Sequence, residues 1–205
     1  MIVKSVTDNQ RFLAIALMTL GSILISFNGL VLRNIETADN WTIIFYRSLA
    51  FSSAIFLYLF IRYRRILLLQ ITKVGPYGWF AGLVLGISNV CFILSMTSTT
   101  VANTVFTISL IPFITALLAF FILGEKLTKI TIYTMITALL GVLIMFYGAL
   151  QVGEILGNVL ALFTAIFFSI FTVVLRANRS VDMLPCLLLS GVIAMLVSLS
   201  LKMGA

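Results

Sequence analysis

Long apolar runs follow one another along almost the whole chain, and this pattern limits the fold more than any other feature of the sequence. A hydrocarbon core about 30 Å thick is crossed by a helix of about 20 mostly apolar residues. The runs are continuous and do not alternate with period two, which excludes an outer-membrane barrel. The sequence therefore predicts an all-α, polytopic membrane helical bundle. About seven windows have this length, at 12–32, 42–61, 77–96, 101–123, 130–149, 155–175 and 184–201.

The composition agrees with a membrane bundle and excludes several other classes of protein. Hydrophobic residues make up 62% of the chain and charged residues only 9%, which is far from the balance of a soluble domain. The absence of histidine excludes His-based metal sites and proton relays. No phosphate-binding Gly loop followed by Lys-Ser/Thr occurs. We therefore expect no cofactor, no metal ion and no enzymatic reaction, and we interpret Cys91 and Cys186 as packing residues.

The positions of the basic residues predict the orientation, because short cytoplasmic loops retain positive charge. With the N-terminus in the cytoplasm, only Arg33 and Lys202 fall in outer segments, and Arg47 falls inside a span. The first apolar run is too long for a signal peptide and lacks a cleavage site before Arg33, so we expect it to be retained. The net charge of +7 then reflects contact with anionic lipid and not with nucleic acid. The ten cytoplasmic residues are Lys4, Arg11, Arg62, Arg64, Arg65, Lys73, Lys126, Lys129, Arg176 and Arg179.

Small and polar residues within the spans indicate where helices pack and where a cavity could lie. The third span contains Gly78, Gly82 and Gly86 in a GxxxGxxxG pattern, which we interpret as a face for close helix packing. Asn89 continues that face by about one turn, and Asn28 lies in the second half of the first span. An amide in hydrocarbon needs partners, so these two residues either bond between helices or line a cavity.

Arg47 is the ionisable residue that lies well inside a predicted span. Two interpretations remain open. The side chain either reaches the outer membrane surface along its aliphatic stem or faces a cavity, where it would attract the carboxylate or phosphate of a solute.

Pro112 lies in the middle of the fourth span, with Asn103, Thr104 and Thr107 before it. Proline removes one backbone N–H and crowds the carbonyl of Ile108, so the helix should bend there. The bend is either purely structural or belongs to a broken helix that lines a cavity, as in transporters. The acidic residues at 36, 39, 125, 154 and 182 fall in loops or at membrane edges, so the spans offer no buried carboxylate as a proton carrier.

Two distant segments resemble each other, which indicates an internal repeat. "ALMTLGSILISFNGLVLRN" at 16–34 and "ALFTAIFFSIFTVVLRAN" at 161–178 share an Ala-Leu-x-Thr start, a central Ser and Phe, and a Val-Leu-Arg or Val-Val-Leu-Arg end. Five helices separate their starting points, so the copies cross the membrane in opposite directions. This is the inverted-topology repeat of many secondary transporters.

The chain resembles the EamA family of the drug/metabolite transporter superfamily, whose members have about ten helices in two inverted five-helix repeats. The closest match is "TSTTVANTVFTISLIPFITALLAFFILGEKLTKITIYTMITALLGVLIMFYG" at 97–148. It is similar to the family's fourth and fifth helices, with the Asn at 103, the Pro at 112 and the Gly-Glu-Lys turn at 124–126. "SFNGLVLR" is a looser match that lacks the family's Trp-Gly, and Arg47 matches a basic position in the second helix.

The resemblance implies a first repeat over 1–150 and the start of a second repeat over 151–205, with about three helices of the expected ten absent by C-terminal truncation. It implies a permease that moves small metabolites, amino acids or drugs by alternating access, in a lipid bilayer that we expect to be the bacterial inner membrane. A homodimer is compatible with this role. The substrate-binding residues that we predict are Asn28, Arg47, Asn89, Asn103, Thr107 and Pro112.

Other classes of function fit the sequence less well. A retinal protein would need a lysine in the middle of its last helix, but Lys202 lies at the end. A membrane-embedded enzyme would need paired catalytic side chains within the spans. The alternative that stays open is a non-transporting assembly partner or a degraded pseudo-permease, which a measurement of solute flux would separate from a transporter.

Overall fold

The structure is a computed structural model that describes residues 8–33, 39–152, 155–179 and 181–203. Within these ranges every regular element is helical, which confirms the predicted fold class. A 3-10 turn, Arg64–Ile66, lies between the second and third α-helices. The α-helices are α1 (Asp8–Arg33), α2 (Asn40–Tyr63), α3 (Leu67–Lys73), α4 (Gly75–Ser98), α5 (Val101–Ile108), α6 (Ile111–Leu123), α7 (Lys129–Val152), α8 (Ile155–Ala177) and α9 (Leu184–Met203).

Five described segments are long and apolar enough to cross a membrane: Asn40–Tyr63, Gly75–Ser98, Val101–Leu123, Ile155–Ala177 and Leu184–Lys202. Two shorter apolar stretches, Phe12–Ile23 and Lys129–Gly141, lie in the first and fifth predicted spans. The helices therefore occupy the seven regions in which the sequence predicted them. The short helix α3 was not predicted, because seven residues are too few to span a bilayer.

Residues 1–37 and 38–205 form two compact units. In the first unit, helix α1 is 26 residues long and exposes large apolar side chains such as those of Phe12 and Met18. The hydroxyls of Thr19, Ser22 and Ser26 each donate to a carbonyl one turn earlier in the same helix, at 2.9 Å. This helix thereby satisfies these polar groups internally, as a lipid environment requires.

The second unit is built around α4, which packs along both α8 and α9, while α2 packs along α9. Helices α5 and α6 lie on α8, and α7 makes a smaller contact with α8 and α5. Helices that precede residue 150 in the sequence therefore pack directly against helices that follow it. Buried side chains between α4, α8 and α9 form its core: Val74, Ala81, Val84, Leu85, Phe171, Met183 and Cys186.

The glycine face of α4 lies against the backbone of α9, as the packing interpretation predicted. A Cβ atom on Gly82 would lie 3.1 Å from the carbonyl oxygen of Cys186, and one on Gly86 would lie 2.9 Å from that of Ser190. A side chain at either position would force the two helices apart. Gly191 of α9 makes a similar approach to α2, since a Cβ there would lie 2.2 Å from Oγ of Ser52. Glycine therefore holds α2, α4 and α9 close together.

Candidate functional site

A small cleft opens where α2, α4 and α9 meet. Its volume is about 80 Å³, which is room for a few water molecules. On α2 the lining residues recur at intervals of three, one and three positions, which places them on one face of the helix. Asn89 and Ile93 face them from α4, one turn apart. The lining residues are Ile44, Arg47, Ser48, Phe51, Asn89, Ile93 and Gly191.

Arg47 supplies the positive charge of this cleft. Its guanidinium carbon lies 5.2 Å from the centre of the Phe92 ring, within the range of a cation–π contact. Its Nη1 atom is buried and has no hydrogen-bond partner among the described residues. The side chain thus points between α2 and α4, towards Phe92.

The two polar neighbours of Arg47 in the cleft are Asn89 and Ser48. Asn89 is half-buried and takes the cavity-lining position that was one of its two predicted arrangements. Ser48 is 8% exposed and was not singled out from the sequence. Its position one residue after Arg47 places it beside the arginine on the helix face, but an isolated serine in an apolar helix gives no signal of its own.

Asn103 lies elsewhere, in a polar cluster where α4, α5 and α8 meet. Its backbone N–H donates at 3.1 Å to the hydroxyl of Thr100, which caps the start of α5. Its side-chain amide donates to Oγ1 of Thr99 at 3.2 Å, and that hydroxyl donates to Oδ1 of Asn158 at 3.3 Å. The Asn103 side chain therefore bonds within the cluster and does not line the Arg47 cleft.

A second chain of hydrogen bonds completes this cluster. Ser95 is fully buried; its hydroxyl donates to the carbonyl of Gly157 at 2.8 Å and lies 2.9 Å from Oγ1 of Thr104. Sequence reasoning missed both Ser95 and Asn158. The sequence did contain a pattern that indicates this cluster. Ser95 and Thr99 lie one turn apart at the end of α4, and Asn158 is a polar residue near the start of α8.

The regular helix is interrupted just before Pro112, where the sequence predicts a bend, because α5 ends at Ile108 and α6 begins at Ile111. Pro112 lies in the first turn of α6 and its side chain is exposed. Ser169 of α8 donates to the carbonyl of Ile111 at 3.2 Å, which ties the break to the core. Thr107 is 1% exposed, and its Oγ1 has no partner within the described part of the chain.

The cavity next to the break is apolar and separate from the Arg47 cleft. It measures about 310 Å³ and lies between α6, α7 and α8. Neither Thr107 nor Pro112 lines the Arg47 cleft. The side chain of Asn28 lies outside the described residues. The cavity is lined by Leu110, Phe113, Ile114, Leu117, Met135, Ile136, Leu139, Leu162 and Ile166.

Ion pairs connect the loops at one end of the second unit. Arg62 contacts Asp182 at 3.3 Å and Arg176 contacts Glu125 at 2.9 Å, and the Tyr63 hydroxyl donates to Asp182. Partial burial alone would raise the pKa of Asp182, but the hydrogen bonds from Tyr63 and from the Leu184 N–H, with the charge of Arg62, hold that pKa below its usual value. The basic loops after α2, α6 and α8 are thereby joined at one end.

No group of three or more His, Cys, Asp or Glu side chains that could hold a metal ion occurs in the described ranges. The model of one protein family, described as the EamA-like transporter family, matches residues 12–147. No curated protein and no solved structure matches the chain. The family match covers more than half of the 205 residues and agrees with the bundle of apolar helices. The chain belongs to the EamA-like transporter family.

Proposed function

We propose that this protein is a permease for small metabolites or drugs, that it works by alternating access, and that the Arg47 cleft is where the solute binds. The observation that carries the proposal is a buried guanidinium nitrogen without a partner among the described residues, beside an open cleft between membrane-spanning helices. Family membership supports transport in general. The cleft supplies a specific place for it.

The depth of Arg47 makes its presence costly. It lies seven residues after the start of α2 at Asn40, which is about 10 Å along the helix axis. Insertion scales assign about 3 kcal/mol to an arginine at the centre of a membrane helix, and the ring of Phe92 returns only about 0.5–2 kcal/mol of that cost. A charge retained at such a cost is more simply explained by solute binding than by packing, since an apolar residue would pack as well.

The packing of helices across residue 150 supports alternating access between two repeats. We assign 1–150 to a first repeat and 151–205 to the start of a second. Helices α8 and α9 of the second repeat bury their faces against α4 and α2 of the first, and the cleft is lined by α2 and α4 together with Gly191 of α9. A site shared by two repeats is the arrangement that rocking of one repeat against the other requires.

The joined basic loops support an orientation with the N-terminus in the cytoplasm. At one end of the unit, the two ion pairs connect Arg62 in the last turn of α2 with the loop after α8, and Arg176 in the last turn of α8 with the loop after α6. The positive-inside rule assigns that end to the cytoplasm, and we place the protein in the bacterial inner membrane. The proposal assigns no chemical reaction to the chain, and its partners are the solute and the bilayer, with a homodimer compatible with it.

Flux into proteoliposomes tests the proposal. The full chain is reconstituted and offered a panel of labelled amino acids, organic acids and cationic drugs, in parallel with empty liposomes. We expect at least one solute to enter faster than into empty liposomes, and Arg47→Gln to abolish that flux. The matched control is Tyr46→Phe, because Tyr46 is 65% exposed on the outer face of the same helix turn. Flux that persists in Arg47→Gln would contradict the assigned site. The absence of flux for the whole panel would favour a non-transporting partner.

A further inference from the structure

The solute group that the cleft accepts can be inferred from its charge, size and lining. We propose that the Arg47 cleft binds the carboxylate of a small monocarboxylate whose remaining atoms are apolar. This inference rests on the proposed function, since it assumes that the cleft is the solute site.

The single positive charge of the cleft favours a ligand with one negative charge. Among the described lining residues Arg47 is charged, and none of the others is acidic or basic. An arginine keeps its proton in proteins and presents a planar fork of N–H donors that matches a carboxylate. A single carboxylate would therefore neutralise the cleft, whereas a phosphate monoester, with a charge of about −2, would leave an uncompensated negative charge in a medium of low dielectric.

The hydrogen-bonding groups are placed for an anion. Nη1 of Arg47 is buried without a partner among the described residues, so it has a free donor to offer. Asn89 and Ser48 line the same cleft, and each carries a further donor. The ring of Phe92 lies on one side of the guanidinium, which leaves the edge of the fork for the ligand.

The size and the apolar part of the lining restrict the rest of the solute. A cleft of about 80 Å³ favours a small solute such as propionate over a larger one. Ile44, Phe51 and Ile93 form the apolar part of the lining. An ammonium group would find no carboxylate among the described lining residues, so a zwitterion such as glycine would bind more weakly than a monocarboxylate.

Protection of a cysteine in the cleft tests this inference. In the purified full chain with Cys91→Ala and Cys186→Ala, a Ser48→Cys substitution reports access to the cleft through its rate of modification by a methanethiosulfonate reagent. We expect propionate to slow modification about tenfold at about ten times its dissociation constant. Propionamide, which has the same shape without the charge, should have little effect. Glycine should protect less than propionate.

Variants of Arg47 identify the group responsible. Arg47→Gln should raise the dissociation constant of propionate by about tenfold or more, because a charge-assisted hydrogen bond is lost. Arg47→Lys retains the charge without the fork and should bind with intermediate affinity, which separates loss of binding from loss of folding. Thermal unfolding of each variant verifies that the bundle is intact.

The outcomes separate the two proposals. Equal protection by propionate and propionamide, or none by either, would overturn the carboxylate inference and leave the permease proposal standing. Equal protection by glycine would overturn the restriction to an apolar body. Protection by phosphatidylglycerol but not by propionate would assign the cleft to a lipid phosphodiester and overturn the inference. A Ser48→Cys side chain that reacts no faster than Tyr46→Cys would show a closed cleft and would overturn both proposals.

Discussion

Substituting alanine for Gly86 should weaken the contact between α4 and α9, because the added methyl group has no room there. Its Cβ would lie 2.9 Å from the carbonyl oxygen of Ser190 and 3.0 Å from Cγ2 of Ile193. The carbonyl belongs to the backbone of α9 and cannot rotate away. The two helices must therefore separate locally, and the glycine face predicted from the sequence loses one of its close contacts with α9.

The size of the effect follows from two opposing terms. Overpacking of this kind costs about 1–3 kcal/mol, while alanine gains about 1 kcal/mol over glycine within a helix. Gly141→Ala in α7 is the matched control, because among the described residues its Cβ would meet only the ring of Phe106, with Cζ at 3.2 Å and Cε1 at 3.7 Å, at the end of a side chain that can rotate. The control variant gains the same helix propensity from alanine but has no clash with a neighbouring backbone. Gly86→Ala should therefore be less stable than Gly141→Ala by about 1–3 kcal/mol.

Reversible unfolding of the purified protein in mixed micelles, titrated with sodium dodecyl sulfate and followed by circular dichroism, measures this difference. The comparison between the two alanine variants cancels the common gain in helix propensity. A Gly86→Ala protein as stable as Gly141→Ala, or more stable, would refute the close contact of α4 with α9 on which the position of the cleft depends.

Three further predictions concern residues outside the cleft. Ser95→Ala should lower the free energy of unfolding by about 1 kcal/mol in the same titration, whereas Ser200→Ala, whose hydroxyl bonds only within its own helix, should change it little; equal effects would contradict the role of the buried cluster. Pro112→Ala should lower the rate of solute flux while it changes the free energy of unfolding little. A variant that loses both flux and stability would show that the break has a structural role only. Asp182→Asn should be less stable than the unmodified protein at pH 7. Because the pKa of Asp182 is lowered in the folded state, this difference should persist above about pH 3.9 and disappear as the pH falls below it; a gap that stays constant down to pH 2 would contradict the lowered pKa.

The positions of the helices could be predicted from the sequence because the bilayer sets their length. The predicted third span, 77–96, corresponds to Gly75–Ser98, and the sixth, 155–175, to Ile155–Ala177. The break in the fourth span followed from the chemistry of Pro112 alone. The short helix Leu67–Lys73 did not follow, since its position depends on the backbone at Arg64, where φ is 44°, and an arginine gives no sequence signal for a positive φ.

The candidate site could be predicted only in part, because it depends on which helices become neighbours. Arg47 and Asn89 were identified as polar residues within predicted spans, but their meeting in one cleft depends on how α2, α4 and α9 pack together. Gly86 and Gly191 permit this close packing. In the sequence, such glycines indicate that a helix packs closely, but they do not indicate which helix it packs against. Asn103 was expected at the same site, yet its side chain bonds to Thr99 within another cluster. Sequence spacing gives a residue's depth and helix face, whereas the partner across the interface is a property of the tertiary packing.

Access to Ser48→Cys from each side of the membrane tests the central claim most directly. In the background without native cysteines, a membrane-impermeant thiol reagent is applied to intact cells and, separately, to inside-out vesicles, with Tyr46→Cys as the lipid-facing control. Alternating access to the Arg47 cleft predicts that Ser48→Cys reacts from both sides and that Tyr46→Cys reacts from neither. Reaction of Ser48→Cys from one side only, or from neither, would contradict the account.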